Sequence, residues 1–481
     1  MNYPIILRTL GFVLSCEGGF LVLSMVASLG TGGSDLGAFM VPTLLCFCAG
    51  IPLARIKPKN EKFYAKEGFL ITGASWVGMV FIGALPYFLG GYIPDFSECL
   101  FESAAGFSTT GATILVNIEA LPRGILFWRS LTHWLGGMGV LVLTLALVPS
   151  SGGSSLYLMR AESTGPSPGK IVPRMRDTAS SLYYVYLALS GILLAALLLC
   201  GLPLYDALVT MFGTAGTGGF SHLNGSISAL NNFPAEIVFT LFMFVCSFNF
   251  GLYYQTFTGN KTAFFKNIEA RVFAAIVVVA TLFMAFNILP IYGGSFPKAL
   301  HEAAFHVSAA VSTTGYTTVN FNLWPVLSKA ILMLLMFMGG SSGSTAGGVK
   351  AIRLVVAFKA LKREIRRIIH PRQVSNITID GRALPEETVS GVILFLLLYT
   401  ALIIITFFVI LLDGFDLLTS FSAALTCVCN AGPGLELVGP AGNYSIFSPF
   451  TKVVLSFCML AGRLELYPML LLINPSTYKK A

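Results

Sequence analysis

Ten apolar stretches, each close to the length of a bilayer crossing, constrain this 481-residue chain more than any other feature. They run over 9–30, 36–54, 68–91, 125–148, 181–201, 234–257, 272–293, 324–347, 388–412 and 447–474. A hydrocarbon core needs about 20 apolar residues per helix. Apolar residues make up 55% of the chain and charged residues 11%, against about 25% charged in an average soluble domain. That leaves too little polar surface to cover a globule in water. A soluble enzyme, a disordered chain and a disulfide scaffold are therefore excluded. Glu17 alone interrupts the first stretch, and Val26-Ala27-Ser28 has the form of a signal-peptide cleavage site. A second stretch follows almost at once, so an uncleaved helix pair is expected.

The net charge is +8. It does not point to nucleic acid, because the basic residues lie in short segments between the apolar runs. Five lie in 55–67, four in 151–180, three in 258–271 and nine in 349–386. With Arg8, Lys479 and Lys480, 24 of the 30 Lys and Arg fall on one side of a ten-span topology. The positive-inside rule makes that side cytosolic, with both termini inside. The nine cysteines include the pairs Cys46/Cys48 and Cys427/Cys429, without the further ligands a zinc site needs. They read as small apolar core residues.

Four connections on the opposite side, 92–124, 202–233, 294–323 and 413–446, are too apolar for water-exposed loops and too short for two more spans. A short helix that enters the membrane and returns as a strand fits each. Such backbone is tolerated only in protein or along a wet cavity. The four also resemble one another. They contain Ser108-Thr109-Thr110-Gly111, Ala215-Gly216-Thr217-Gly218, Ser312-Thr313-Thr314-Gly315 and Cys429-Asn430-Ala431-Gly432. Aligned on the last glycine, these units recur roughly every hundred residues, the mark of an internal repeat. The predicted architecture is an all-α membrane protein. An N-terminal helix pair (1–66) precedes four pseudo-symmetric repeats of helix, short helix, strand and helix (67–180, 181–271, 272–386 and 387–481), about ten transmembrane helices in all.

Such strands suit a cation pore. An ion crossing the bilayer needs oxygens to replace its water, and backbone carbonyls supply them. Glycine allows the dihedrals that aim them, and the negative C-terminal ends of short helices favour a cation. Glu98, Asp206, Glu302 and Asp416 near the helix starts are expected as N-terminal caps. Close helix packing by small residues would instead put the glycines inside long spans. Here they lie between spans.

These Thr-Gly strands, the leading helix pair and the tract Gly339-Gly340-Ser341-Ser342-Gly343-Ser344-Thr345-Ala346-Gly347-Gly348 resemble the Trk/Ktr/HKT superfamily of potassium transporters. The likeness covers the full chain and favours the Trk branch, the membrane subunits of bacterial uptake systems. The resemblance implies a potassium filter built from Thr109, Thr110, Gly111, Gly216, Thr217, Gly218, Thr313, Thr314, Gly315, Asn430, Ala431 and Gly432. The fourth strand departs most, with Asn430-Ala431 where the first and third have Thr-Thr.

Five glycines and three serines within 339–348 cannot hold a good helix. The spacing does not make a phosphate loop either, since Lys350 is followed by Ala351. A plug below the filter is expected, where the resemblance implies an intramembrane gate. Arg463 is a costly intramembrane charge and so a functional candidate; the resemblance implies that it points into the ion path. Breaks are expected at Gly136-Gly137 and near Asn249-Gly251. His133, Glu17 and Arg129 are expected to make structural hydrogen bonds. Residues 350–370 read as a basic helix suited to anionic lipid. The resemblance implies that it docks a TrkA-like nucleotide-binding regulatory subunit, and that the chain forms a homodimer. No organic cofactor is expected, and the resemblance implies K⁺ as the cargo. A cation-coupled symporter is the alternative. The four copies all start on one side, which argues for a pore. An intramembrane enzyme using His133 lacks a nucleophile motif.

Overall fold

The structure is a computed structural model. It describes residues 1–58, 64–139, 175–371, 373 and 376–478, with side chains from 179 onward in the helix that starts at Met175. Lys59, Lys62, Arg160, Lys170, Arg174, Arg372, Lys479, Lys480 and the end of the 125–148 stretch lie outside the described residues.

Among the described residues, 6 helices are long and apolar enough to cross a membrane: Tyr3–Gly30, Leu36–Ala54, Ala65–Leu89, Ala179–Leu199, Ile268–Tyr292 and Glu386–Leu411. The other expected spans are interrupted, two of them where the sequence predicts it, near Asn249-Gly251 and in the tract 339–348. The 234–257 stretch is two helices, Phe233–Cys246 and Phe250–Phe257, bent by 90°. The 324–347 stretch is helical only over Val326–Met338. The 447–474 stretch divides into Pro449–Arg463 and Tyr467–Ile473, and Arg123–Met138 ends at Gly139. Hydropathy reports that a segment is apolar, not that its helix is continuous. Positive φ at Gly139 (79°), Gly339 (66°) and Leu466 (69°) is incompatible with a right-handed helix. All four breaks fall in the half of the span that leads to the basic segments.

Between these longer helices lie four short ones: Phe96–Phe107, Leu204–Ala215, Phe296–Val311 and Leu417–Cys429. Arg123–Met138 packs on Leu204–Ala215, Phe233–Cys246 on Phe296–Val311, Val326–Met338 on Leu417–Cys429, and Pro449–Arg463 back on Phe96–Phe107. The repeats thus close into a circle in chain order. The leading pair, Tyr3–Gly30 and Leu36–Ala54, packs outside it against Ala65–Leu89.

Of the four acidic residues near the short-helix starts, only Asp416 caps its helix, accepting the Leu418 and Thr419 amides at 3.1 and 3.0 Å. The others tie elements together. Glu98 pairs with Lys452 at 2.6 Å, Asp206 with His222 at 3.0 Å, and Glu302 accepts the Thr318 hydroxyl at 2.5 Å.

Candidate functional site

Each short helix ends in the same backbone figure. A residue in the left-handed region follows it: Thr109 (φ 55°), Thr217 (φ 54°), Thr313 (φ 56°) and Asn430 (φ 55°). Two residues later comes a glycine at positive φ: Gly111 (75°), Gly219 (80°), Gly315 (75°) and Gly432 (83°). The amides between them fold back on the helix end. Thr110 donates to the Ala105 carbonyl at 2.9 Å, Gly218 to Gly213 at 2.8 Å and Ala431 to Thr426 at 2.9 Å. The second repeat is therefore shifted by one residue from the alignment on last glycines. Gly219, which sequence reasoning missed, is the equivalent of Gly111, and Gly218 matches Thr110. The Gly218-Gly219 doublet held the signal, but position alone could not say which glycine took the turn.

The four strands meet. A Cβ on Gly432 would stand 2.9 Å from the Thr110 carbonyl oxygen, and one on Gly315 would stand 2.5 Å from that of Ala431. On Gly111 and Gly219 it would overlap the carbonyl oxygens of Gly218 and Thr314. Each glycine thus abuts a carbonyl of the next strand, and the ring closes from the fourth strand to the first. Only hydrogen fits at these positions. Above the ring lies a cavity of about 260 Å³, lined by all four glycines together with Asn224 and Thr317.

The side chains around this ring follow a two-fold pattern. Ser108 and Thr110 share a hydrogen bond of 2.6 Å, and Ser312 and Thr314 one of 2.7 Å, in opposite repeats. The corresponding pairs are Gly216/Gly218 and Cys429/Ala431. Thr110 and Thr314 hydroxyls are thereby engaged with serines, which leaves the carbonyls as the ring's shared oxygens. Asn430 tolerates the left-handed region better than most residues. Its amide donates to Thr110 Oγ1 at 2.9 Å and to the Met459 carbonyl at 2.8 Å, stitching the fourth strand to the first.

Buried polar groups support the ring from behind. Glu102 and Arg129, both fully buried, pair at 2.6 Å. Glu102 also accepts the Thr113 hydroxyl and the Ile114 amide, at 2.9 and 3.0 Å. Arg129 donates to the Ser221 carbonyl at 2.8 Å and lies 3.4 Å from the centre of the Phe220 ring. One ion pair thus fixes the backbone beyond both the first and second strands. His133 Nδ1 lies 2.7 Å from the Gly106 carbonyl, and its ring packs under Gly218. Arg129 and His133 make the expected structural contacts. Glu17 is buried without a hydrogen-bond partner among the described residues, contrary to that expectation. Gly136 and Gly137 stay inside their helix. They sit against Phe107 and Gly216, where a Cβ would not fit.

The tract 339–348 lies beneath the ring and is bonded to the second, third and fourth repeats. The Gly347 amide donates to Thr313 Oγ1 at 2.7 Å, and the Gly348 amide to the Cys429 carbonyl at 2.9 Å. The Ser341 amide donates to the Ser247 carbonyl at 2.9 Å, and Phe250 donates to the Gly343 carbonyl at 3.0 Å. Ser344 Oγ donates back to Ser341 at 2.6 Å. Arg463 donates to the Thr345 carbonyl at 2.6 Å and to the Gly136 and Gly137 carbonyls at 2.8 and 2.5 Å. Lys350 Nζ donates to the Ala346 carbonyl. A segment bonded to three members of a circle, and joined to the remaining one through Arg463, occupies its middle. The structure therefore brings the four strands, the tract and Arg463 onto one axis.

Residues 38–478 match the family model for TrkH, described as a cation transport protein. The chain is 32% identical over 492 residues to the Trk system potassium uptake protein TrkH of Salmonella typhimurium, covering 100% of both. It is 31% identical over 470 residues to the TrkG protein of the Escherichia coli Trk system, covering 96% of each. The crystal structure of the potassium transporter TrkH from Vibrio parahaemolyticus superposes with a TM-score of 0.89 at 29% identity, over 100% of both chains. This chain belongs to the TrkH family of cation transport proteins, a family of transporters and not of enzymes.

Proposed function

We propose that this protein takes potassium ions into a bacterial cell across the inner membrane, through the ring of four strands. The observation that carries this reading is the closed ring of glycines, each against a neighbouring strand's carbonyl. An ion entering from outside sheds water in the 260 Å³ cavity. The carbonyl oxygens of Thr110, Gly218, Thr314 and Ala431 replace it, helped by the negative ends of four short helices. The names of the similar TrkH and TrkG proteins supply the ion.

The tract 339–348 closes the path on the cytosolic side. Its backbone fills the middle of the circle, and Arg463 adds a fixed positive charge that opposes a cation. Opening requires the tract to leave its bonds to Thr313, Cys429, Ser247 and Arg463. The membrane potential, worth ~2.3 kcal/mol per charge per 100 mV, then draws the ion inward. The 24 basic residues counted on one side set that side as cytosolic.

Helix Ala351–Ile369 begins just after the tract, so a subunit bound to it acts on the gate directly. Its outer face carries Phe358, Leu361, Ile365 and Ile368, all exposed, beside Lys362 and Arg366. That surface suits anionic lipid and a cytosolic nucleotide-binding regulatory subunit, in a homodimer of this chain. The test is ⁸⁶Rb⁺ influx into proteoliposomes containing the purified protein. Influx that follows the potential and competes with K⁺ is expected. No flux of K⁺ or Rb⁺ at any potential, with or without a regulatory subunit, ends the pore reading.

A further inference from the structure

A single carboxylate from a different helix holds the tract on the cytosolic side. Glu269 is the second residue of the helix Ile268–Ile288 and is 4% exposed. Its Oε1 accepts the Ser342 amide at 2.6 Å and the Ile352 amide at 3.2 Å. Ser342 lies within the tract. Ile352 lies in the first turn of Ala351–Ile369, whose preceding residue Lys350 offers no side-chain cap. Helix N-termini carry unsatisfied amides and a partial positive charge. Glu269 therefore acts as the missing cap and, through the same oxygen, fixes the middle of the tract to the start of that helix.

Glu269 is itself held from an exposed element. Strands Thr378–Ile379 and Arg382–Ala383 pair antiparallel, joined by a turn at Asp380 (φ 47°) and Gly381 (φ 78°). Asp380 accepts the Ile268 amide and the Asn267 side-chain amide, each at 2.8 Å. Lys359 ties the hairpin to Ala351–Ile369 by donating to the Thr378 carbonyl at 2.7 Å. The exposed hairpin, the start of a membrane helix, Glu269 and the tract are thus connected in series. Each link is one or two hydrogen bonds.

The geometry points to Glu269 as a positioning residue that latches the tract shut, and to the Asp380 turn as the lever through which a cytosolic contact releases it. This rests on reading the tract as the gate. Pulling on Asp380 shifts the first residues of the Ile268 helix. Glu269 then loses Ser342 and Ile352 together, because one oxygen serves both.

The experiment pairs hydrogen–deuterium exchange over 339–352 with ⁸⁶Rb⁺ influx, on the full chain carrying Glu269→Ala, Glu269→Gln or Asp380→Ala. Exchange over that segment should accelerate roughly tenfold or more in Glu269→Ala, the factor expected for a hydrogen bond to a charged group, and influx should rise. Glu269→Gln keeps an acceptor oxygen and should fall between wild type and alanine. It also carries the test if the alanine variant does not fold. Wild-type exchange over 339–352 in a folded Glu269 variant overturns the latch. Wild-type exchange there in Asp380→Ala overturns the lever. Faster exchange with unchanged influx upholds the latch and instead removes the tract as the gate.

Discussion

Arg463 donates a hydrogen bond to the carbonyl of Thr345 at 2.6 Å, across a sequence separation of 118 residues. The same guanidinium reaches the Gly136 and Gly137 carbonyls, so one side chain clamps the third repeat's tract between the fourth and the first. Arg463→Ala removes these bonds and the fixed charge below the ring. We expect a severalfold rise in basal ⁸⁶Rb⁺ influx with an unchanged K⁺/Na⁺ ratio, because no ring carbonyl is disturbed. Arg463→Lys keeps the charge but cannot reach carbonyls on both sides as a planar fork does, so its flux should lie between.

Shortening the tract by removing Ser342, Gly343 and Ser344 deletes the bonds to Glu269 and Phe250. Basal influx should increase with selectivity retained. Flux equal to or below wild type, in protein that elutes and melts normally, counts against the plug.

The one-residue shift in the second strand has its own test. Gly219 has φ 80° and faces the backbone carbonyl of Thr314. A side chain there costs about 1–2 kcal/mol in dihedral strain alone, and no neighbouring side chain can be trimmed to make room. Gly218 faces the His133 ring instead. Gly218→Ala should therefore recover part of its K⁺/Na⁺ discrimination when combined with His133→Ala, whereas Gly219→Ala should not. Among the four ring glycines, Gly432→Ala should be mildest, since its Cβ would stand 2.9 Å from the nearest oxygen. Reversal potentials in mixed K⁺ and Na⁺ give the readout.

Glu102 and Arg129 form a buried pair behind the first two strands. Removing one partner leaves a buried charge, at a cost of about 3–5 kcal/mol. Glu102→Gln and Arg129→Met should each lower the melting temperature in detergent. The double substitution should be less damaging than the sum of the two. Strict additivity would show that the pair is not coupled.

The sequence by itself determined the membrane class, the four-fold repetition, the tract and the charge at Arg463. Each depends on local composition: apolar length, recurring Thr-Gly units, a glycine-rich run and an ion in an apolar span. It also identified 234–257 and 324–347 as apolar enough to cross and where their helices break, near Asn249-Gly251 and in the glycine-rich tract. It did not show the breaks after Met138 and Arg463, because hydropathy is blind to φ. Only the tertiary structure decided the register of the second strand. Gly218 and Gly219 are chemically alike, and what separates them is contact with a neighbour, the His133 ring or the Thr314 carbonyl. The same holds for Glu269 and Glu102. An acidic residue at a helix start, as Glu269 is, looks like an ordinary cap, and one in mid-helix, as Glu102 is, shows no role, until the fold brings distant donors to their oxygens. Cyclic closure made those meetings possible, by placing residues hundreds of positions apart within hydrogen-bond reach, as Asn430 and Thr110 are at 2.9 Å.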